Sequence, residues 1–411
     1  MKKNYRGINL FLFSILLLCS FSCKTSKEKI TTEEAIINTP AQSGTISSID
    51  IPSPGFFWLL RPWKKGTLAT MDGKARFAEI SFKGKSGMTI TQLINFPEEP
   101  IDRTFVTAPE SGICITQMRG MFFIADIVNK KTKKIIPLAT WRFDELNPII
   151  LDQKNGIICF RYNASSGYEK QPRYNIIYDI KNDKVLYESP EEGEENSLLC
   201  PFTTEWVFCV KYNKKVKQEY FLYNWKTKET INNELTKKLY NIDYKAVISP
   251  NENTNIKEGY LFNEIPIPGK IYNKNVKITW DENYENVKVI PLDYLIPEGK
   301  WLYSFFISAD GKWAASFVGG YKGYYDEILN KRVFFHLDSR YPNGISMPIF
   351  TDEYYETPKR FESFVEHPVY GMCFAGEKRI EDKKGNEKLY LSLYKMDDVL
   401  TEINRQWEKS D

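Results

Sequence analysis

Two histidines, seven cysteines and 53 acidic side chains are what a chain of 411 residues offers for catalysis or metal binding. His336 and His367 stand apart, with no ligand-type spacing around either, which argues against a zinc site. Neither an HExxH sequence nor a nucleophile-elbow glycine pattern is present to support a metalloprotease or a Ser-His-Asp triad, and no glycine loop is shaped to cradle phosphate. Paired carboxylates could hydrolyse glycosides. Pairs such as Asp326 with Glu327, or Glu353 with Glu356, read instead as solvated loop residues. No catalytic residue is nominated on these grounds, and neither a metal nor a cofactor is expected.

Tyrosine is the better-placed chemistry. Three polar stretches carry it in groups: YNASSGYEKQPRY (Tyr162 to Tyr174), GGYKGYYDEILNK (Gly319 to Lys331) and TDEYYETPKRF (Thr351 to Phe361). A tyrosine presents a flat apolar ring with a polar tip, suited to stacking on sugar or gripping peptide at low entropic cost. Tyr168, Arg173, Tyr321, Tyr324, Tyr325, Tyr354 and Tyr355 are therefore the candidate ligand-binding residues.

Those stretches need a scaffold, and the rest of the chain has the pattern of one. From about Ile49, short apolar, aromatic and β-branched runs alternate with turn clusters, the signature of an all-β protein. The runs group into about seven units spaced roughly 40 to 57 residues apart, each reading strand, turn, strand, loop, strand, turn, strand, as four-stranded propeller blades do. Stacking such sheets around an axis buries faces that one sheet alone could not. A pair of β-sandwiches is the competing architecture, because even strand spacing does not separate the two. The clearest unit contains ISADGKWAASF (Ile307 to Phe317), which is similar to the S-x-D-G-K hairpin of WD40-like repeats such as the periplasmic Tol-system propeller. That resemblance implies a β-propeller fold, here over residues 49–396. Residues 397–411 follow as a short amphipathic helix with Val399, Leu400, Ile403 and Trp407 on one face.

The repeat also accounts for most of the cysteines. Cys114, Cys159, Cys209 and Cys373 fall at one place in the second strand of four units, with Ser316 there in a fifth, where close packing of blades favours a small buried side chain. Equivalent places in different blades are too far apart for a disulfide, and Cys200 near Cys209 is the one pairing the spacing allows. No structural disulfide is predicted.

The N-terminus supplies an address. Lys2, Lys3 and Arg6 precede an apolar run from Ile8 to Leu18, too short to span a bilayer, in the order of a secretory signal. The run ends in Ser20, Phe21, Ser22 and Cys23, which resembles the lipobox of bacterial lipoproteins in its last two positions and departs from it at Ser20 and Phe21. The resemblance implies a signal over residues 1–22, a diacylglycerol on Cys23, and a location in the bacterial cell envelope, periplasmic or surface-exposed. Residues 23–48, rich in Lys, Thr, Ser and Glu, read as a solvated tether. The formal net charge of +3 is that of Lys2, Lys3 and Arg6, so side chains of the mature protein balance and provide no field for nucleic acid.

The expectation is a lipid-anchored propeller that binds protein or glycan in the envelope without catalysis and meets the membrane through its lipid alone. The alternative is a carbohydrate-active enzyme whose scattered carboxylates converge at the propeller axis.

Overall fold

The structure, a computed structural model, describes residues 46–53, 60–71, 76–96, 105–118, 121–135, 149–163, 173–188, 198–202, 205–211, 219–241, 258–261, 276–295, 300–322, 325–351, 362–381, 385 and 387–408. The chain divides into two units, Met1–Pro40 and Ala41–Asp411, and every described residue belongs to the second.

Strand β1 (Ser48–Pro52) comes first and is used last. Blade 1 is the antiparallel sheet β2 (Leu60–Pro62), β3 (Thr67–Met71), β4 (Arg76–Lys83) and β5 (Gly87–Asn95). Blade 2 is β6 (Phe105–Ala108), β7 (Ile113–Met118), β8 (Met121–Asp126) and β9 (Lys131–Ile135). Blade 3 is β10 (Ile149–Asp152), β11 (Ile157–Asn163), β12 (Arg173–Asp179) and β13 (Lys184–Glu188). Blade 4 is β14 (Leu198–Pro201), β15 (Trp206–Lys211), β16 (Glu219–Asn224) and β17 (Thr230–Ile231), followed by helix α1 (Glu234–Asn241). Blade 5 has three described strands, β18 (Glu258–Leu261), β19 (Val276–Thr279) and β20 (Lys288–Pro291). Blade 6 is β21 (Lys300–Ile307), β22 (Trp313–Lys322), β23 (Tyr325–His336) and β24 (Ile349–Phe350). Blade 7 is β25 (Glu362–His367), β26 (Gly371–Glu381) and β27 (Glu387–Lys395), completed on its outer edge by β1.

Seven sheets in sequence order could still be a string. Contacts make them a ring. The first strands β25, β2, β6 and β10 touch in succession, and β21 touches β25, so first strands lie innermost. Apolar clusters fill the spaces between blades 7 and 1 (Leu60, Leu68, Cys373, Leu393), 1 and 2 (Phe77, Phe105, Cys114), 2 and 3 (Ile115, Ile158, Ile176) and 3 and 4 (Ile157, Cys159, Val207, Cys209). Leu222, Trp206 and Ile278 join blades 4 and 5, and Lys277 Nζ of blade 5 donates to the Asn343 carbonyl of blade 6 at 3.0 Å. Phe334, Phe364 and Phe374 close blade 6 on blade 7. A sandwich has two facing sheets and no such cycle, so the molecule is an all-β propeller of seven blades.

Helix α2 (Met396–Trp407) covers the junction of blades 6 and 7. Met396, Val399 and Ile403 are buried there beside Leu400, and Trp407 meets Tyr341 edge-on at 5.3 Å. Asp397 and Asp398 in its first turn complement the helix dipole. Among the described residues no helix is long and apolar enough to cross a membrane.

Thr67 to Met71 is the second strand of blade 1, because the short strand Leu60–Pro62 lies inside it. Two details depart from the sequence reading. The stretch Gly319 to Lys331, expected as a loop, is mostly strand: β22 and β23 pair as far as Lys322 and Tyr325. The four buried cysteines, expected at one place, are the second, third, fourth and third residues of their strands in chain order, and they do not share a face. Cys114 and Cys209 pack toward the preceding blade, Cys159 and Cys373 toward the following one, since a one-residue offset reverses a strand side chain.

Candidate functional site

The two ends of the ring are built differently. At one end lie the turns between first and second strands and between third and fourth. Asp126, Asp152 and Asp179 each accept a backbone N–H and a side-chain amide from the asparagine three residues on, at 2.7 to 3.0 Å. An Asx turn of this kind satisfies the chain as it reverses. The residues that follow, Lys130, Gly156 and Asp183, take positive φ to finish the turn. In SADGKW the Asp310 carboxylate accepts from Ser308 Oγ at 2.5 Å and from the Lys312 N–H at 3.1 Å, while Ser308 Oγ accepts the Trp313 N–H at 2.9 Å. The S-x-D-G-K pattern is thus a self-satisfied hairpin.

Both histidines belong to this same end. His367 Nδ1 accepts the N–H groups of Val369 (3.2 Å) and Tyr370 (3.3 Å), the job aspartate does in other blades, and its ring stacks on Tyr370 at 4.7 Å. His336 lies against Trp313 at 4.6 Å, and its backbone N–H donates to Ser346 Oγ at 2.9 Å. Burial lowers the proton affinity of both imidazoles. They are packing groups of two turns.

The opposite end receives the connections between second and third strands and those between blades. Of the candidate residues, Arg173 opens β12, in register with Asn163 at the end of β11. Tyr321 pairs with Asp326 and Tyr325 with Lys322 at the end of the long β22–β23 hairpin. Blade 6 therefore raises a two-stranded arm here, since β21 pairs no further than Gly320. Blade 7 raises a second arm, in which β26 and β27 pair to Glu381 and Glu387 although β25 reaches only Gly376. Arg173, Tyr321 and Tyr325 thus sit at strand ends on one side of the ring. Tyr168, Tyr324, Tyr354, Tyr355 and the proposed lipid site Cys23 lie outside the described residues.

Reactive groups elsewhere are muffled by burial. Cys114, Cys159, Cys209 and Cys373 are free thiols, and desolvation pushes Cys159 and Cys373 up to about 12. A thiol so raised is no nucleophile at neutral pH. Among the described residues no three His, Cys, Asp or Glu side chains gather as a metal site.

One residue escaped the sequence reading. Arg61 lies on β2, the innermost strand of blade 1, with its guanidinium 5.9 Å from the Phe105 ring centre and desolvation lowering its pKa to about 10. The signal was a lone charge in the run FFWLLRPW (Phe56 to Trp63).

No family model and no curated protein matches the chain. Among solved structures it is similar to an oligogalacturonate lyase in complex with manganese, at a TM-score of 0.44 and 10% identity, over 86% of this chain and 98% of that one. It is similar also to a chain of a mitotic checkpoint complex (TM-score 0.42, 10% identity, 85% of this chain, 93% of that one). A prolyl endopeptidase follows at a TM-score of 0.37 and 9% identity, over 84% of this chain and 54% of that one.

Proposed function

We propose that this protein is a lipid-anchored β-propeller of the bacterial cell envelope that binds protein or glycan, without catalysis, through the end of the ring where Arg173, Tyr321 and Tyr325 stand. The supporting observation is the contrast between the two ends. One is made of turns whose polar groups are satisfied within the turn, at Asp126, Asp152, Asp179 and Asp310. At the other, two arms carry tyrosine and charged residues beyond the body of their blades. Aromatic side chains on rigid strands give contact area at small entropic cost.

The test joins binding to address. Tyr321, Tyr324 and Tyr325 are changed together to alanine, and binding of the purified protein to a glycan array and to cross-linked envelope proteins is compared with the parent. Loss of a specific partner with an unchanged melting curve is expected. Retention of every partner would remove these tyrosines from the function. In parallel, Cys23→Ser should abolish incorporation of radiolabelled palmitate, and unchanged labelling would refute the anchor.

A further inference from the structure

Arg61 faces blade 2. It pairs across the sheet with Ala69, whose small side chain leaves the guanidinium room to lie over Phe105. Its Nη1 donates to the Leu60 carbonyl at 3.0 Å, and among the described residues no carboxylate pairs with it. A guanidinium has five N–H donors in a planar fork, so one bond leaves most of it unused. The surroundings have nonetheless removed much of its water, which is why its pKa falls to about 10 while part of the side chain stays open to solvent. Retaining a poorly solvated charge with no counter-charge among the described residues is costly.

A second donor stands in the same cluster. Trp63, two residues along an extended chain and so on the same side as Arg61, is 4% exposed, and its buried indole Nε1 has no acceptor among the described residues. Trp63 meets Phe77 edge-on at 5.3 Å, and Phe77 meets Phe105 at 5.8 Å, so one aromatic wall joins the two donors.

We infer that Arg61, set on the aromatic wall of Phe105, Phe77 and Trp63, forms the donor side of a binding site for a carboxylate group at the inner edge of blades 1 and 2. A carboxylate suits the planar fork, which it can meet through two parallel hydrogen bonds. It also carries one negative charge against one positive charge, whereas a phosphate dianion would leave an excess charge beside an aromatic wall. The site lies on inner strands, apart from the tyrosine arms, and stands whether or not those arms bind a partner.

The carboxylate could come from an acidic sugar or from the end of a peptide, and matched probes separate the two. The full-length protein in detergent is titrated by calorimetry with glucuronate against glucose, and with acetyl-trialanine acid against its amide. At least one acid should bind while its neutral partner does not. Arg61→Gln should weaken that binding by about tenfold or more, and Arg61→Lys should restore part of it. Phenylglyoxal modification of Arg61, followed by mass spectrometry on the unmutated protein, should slow when the acid is present. Binding of glucuronate alone assigns a sugar acid, and binding of the peptide acid alone assigns a chain terminus. The site is overturned if acid and neutral probes bind alike, if none binds, or if the acid leaves Arg61 labelling unchanged. Should Arg61→Gln fail to fold, the labelling of the unmutated protein decides.

Discussion

At the scale of single residues, His367 shows how a group that looks chemical can be structural. Its Nδ1 accepts two backbone N–H groups while the ring is 1% exposed, so the neutral form is the one the turn requires. In the unfolded chain the imidazole titrates near 6.5. Burial holds the folded value of His367 and of His336 below that, so between the two values the unfolded state carries more protons. Stability is therefore complete above about pH 6.5 and is lost as pH falls below it, by at most about 1.4 kcal/mol per pH unit for each histidine. Urea unfolding at pH 7.5 and pH 5 measures this. His367→Asn supplies a non-titrating acceptor of the kind used at Asn224, where a side-chain oxygen accepts the N–H groups of Lys226 and Thr227. That variant should fold and show a flatter pH dependence. An unchanged slope would assign the titration elsewhere.

At the scale of elements, the turns explain both what the sequence disclosed and what it hid. The period was legible because each blade spends its hydrophobic residues in the same rhythm, and S-x-D-G-K was legible because its serine, aspartate and glycine each satisfy part of one hairpin. The pattern D-x-x-N, present as DIVN, DQKN and DIKN, carried the same information and marks three turns of one geometry. Strand β2 was hidden because three residues ending in Pro62 show no alternation. The cysteine faces were hidden because parity depends on register, which periodicity alone does not set. The turn geometry yields a pair of substitutions with opposite signs. Lys130 is exposed at φ 52°, so Lys130→Gly should stabilise by about 0.5–1 kcal/mol, relief of left-handed strain exceeding the glycine's extra unfolded-state entropy. Gly156 is at φ 69°, and a Cβ there would meet Ile113 Cδ1 at 3.0 Å, so Gly156→Ala should cost about 1–2 kcal/mol. Thermal melts of the two variants against the parent check both signs.

At the scale of the whole molecule, the decisive feature is that blade 7 is assembled from both ends of the second unit. Strand β1 pairs with β27 from Ser48 against Tyr394 to Pro52 against Tyr390, and Ile51 is buried between blades 7 and 1. Asp50 fastens the join: its carboxylate meets Lys378 Nζ at 2.8 Å and accepts from Ser392 Oγ at 2.6 Å and Ser48 Oγ at 2.8 Å. Lys378 and Ser392 come from the last two strands of the chain, so one half-buried carboxylate links sequence positions more than 300 residues apart. A ring closed this way has β1 covering the outer edge of β27, and removing it exposes both that strand edge and the apolar space between blades 7 and 1. The seam also places β1 directly after the residues read as a tether, so any pull on the N-terminus acts on the closing strand. A chain beginning at Ala41 should melt like the full-length protein. A chain beginning at Ser53 lacks β1, leaves Lys378 without Asp50, and should lose many degrees of melting temperature or fail to fold. Asp50→Ala in the full chain should fall between them, costing about 1–3 kcal/mol for the buried hydrogen bonds left unmade. Equal melting of the Ser53 chain and the full chain would mean that the ring holds without its closing strand.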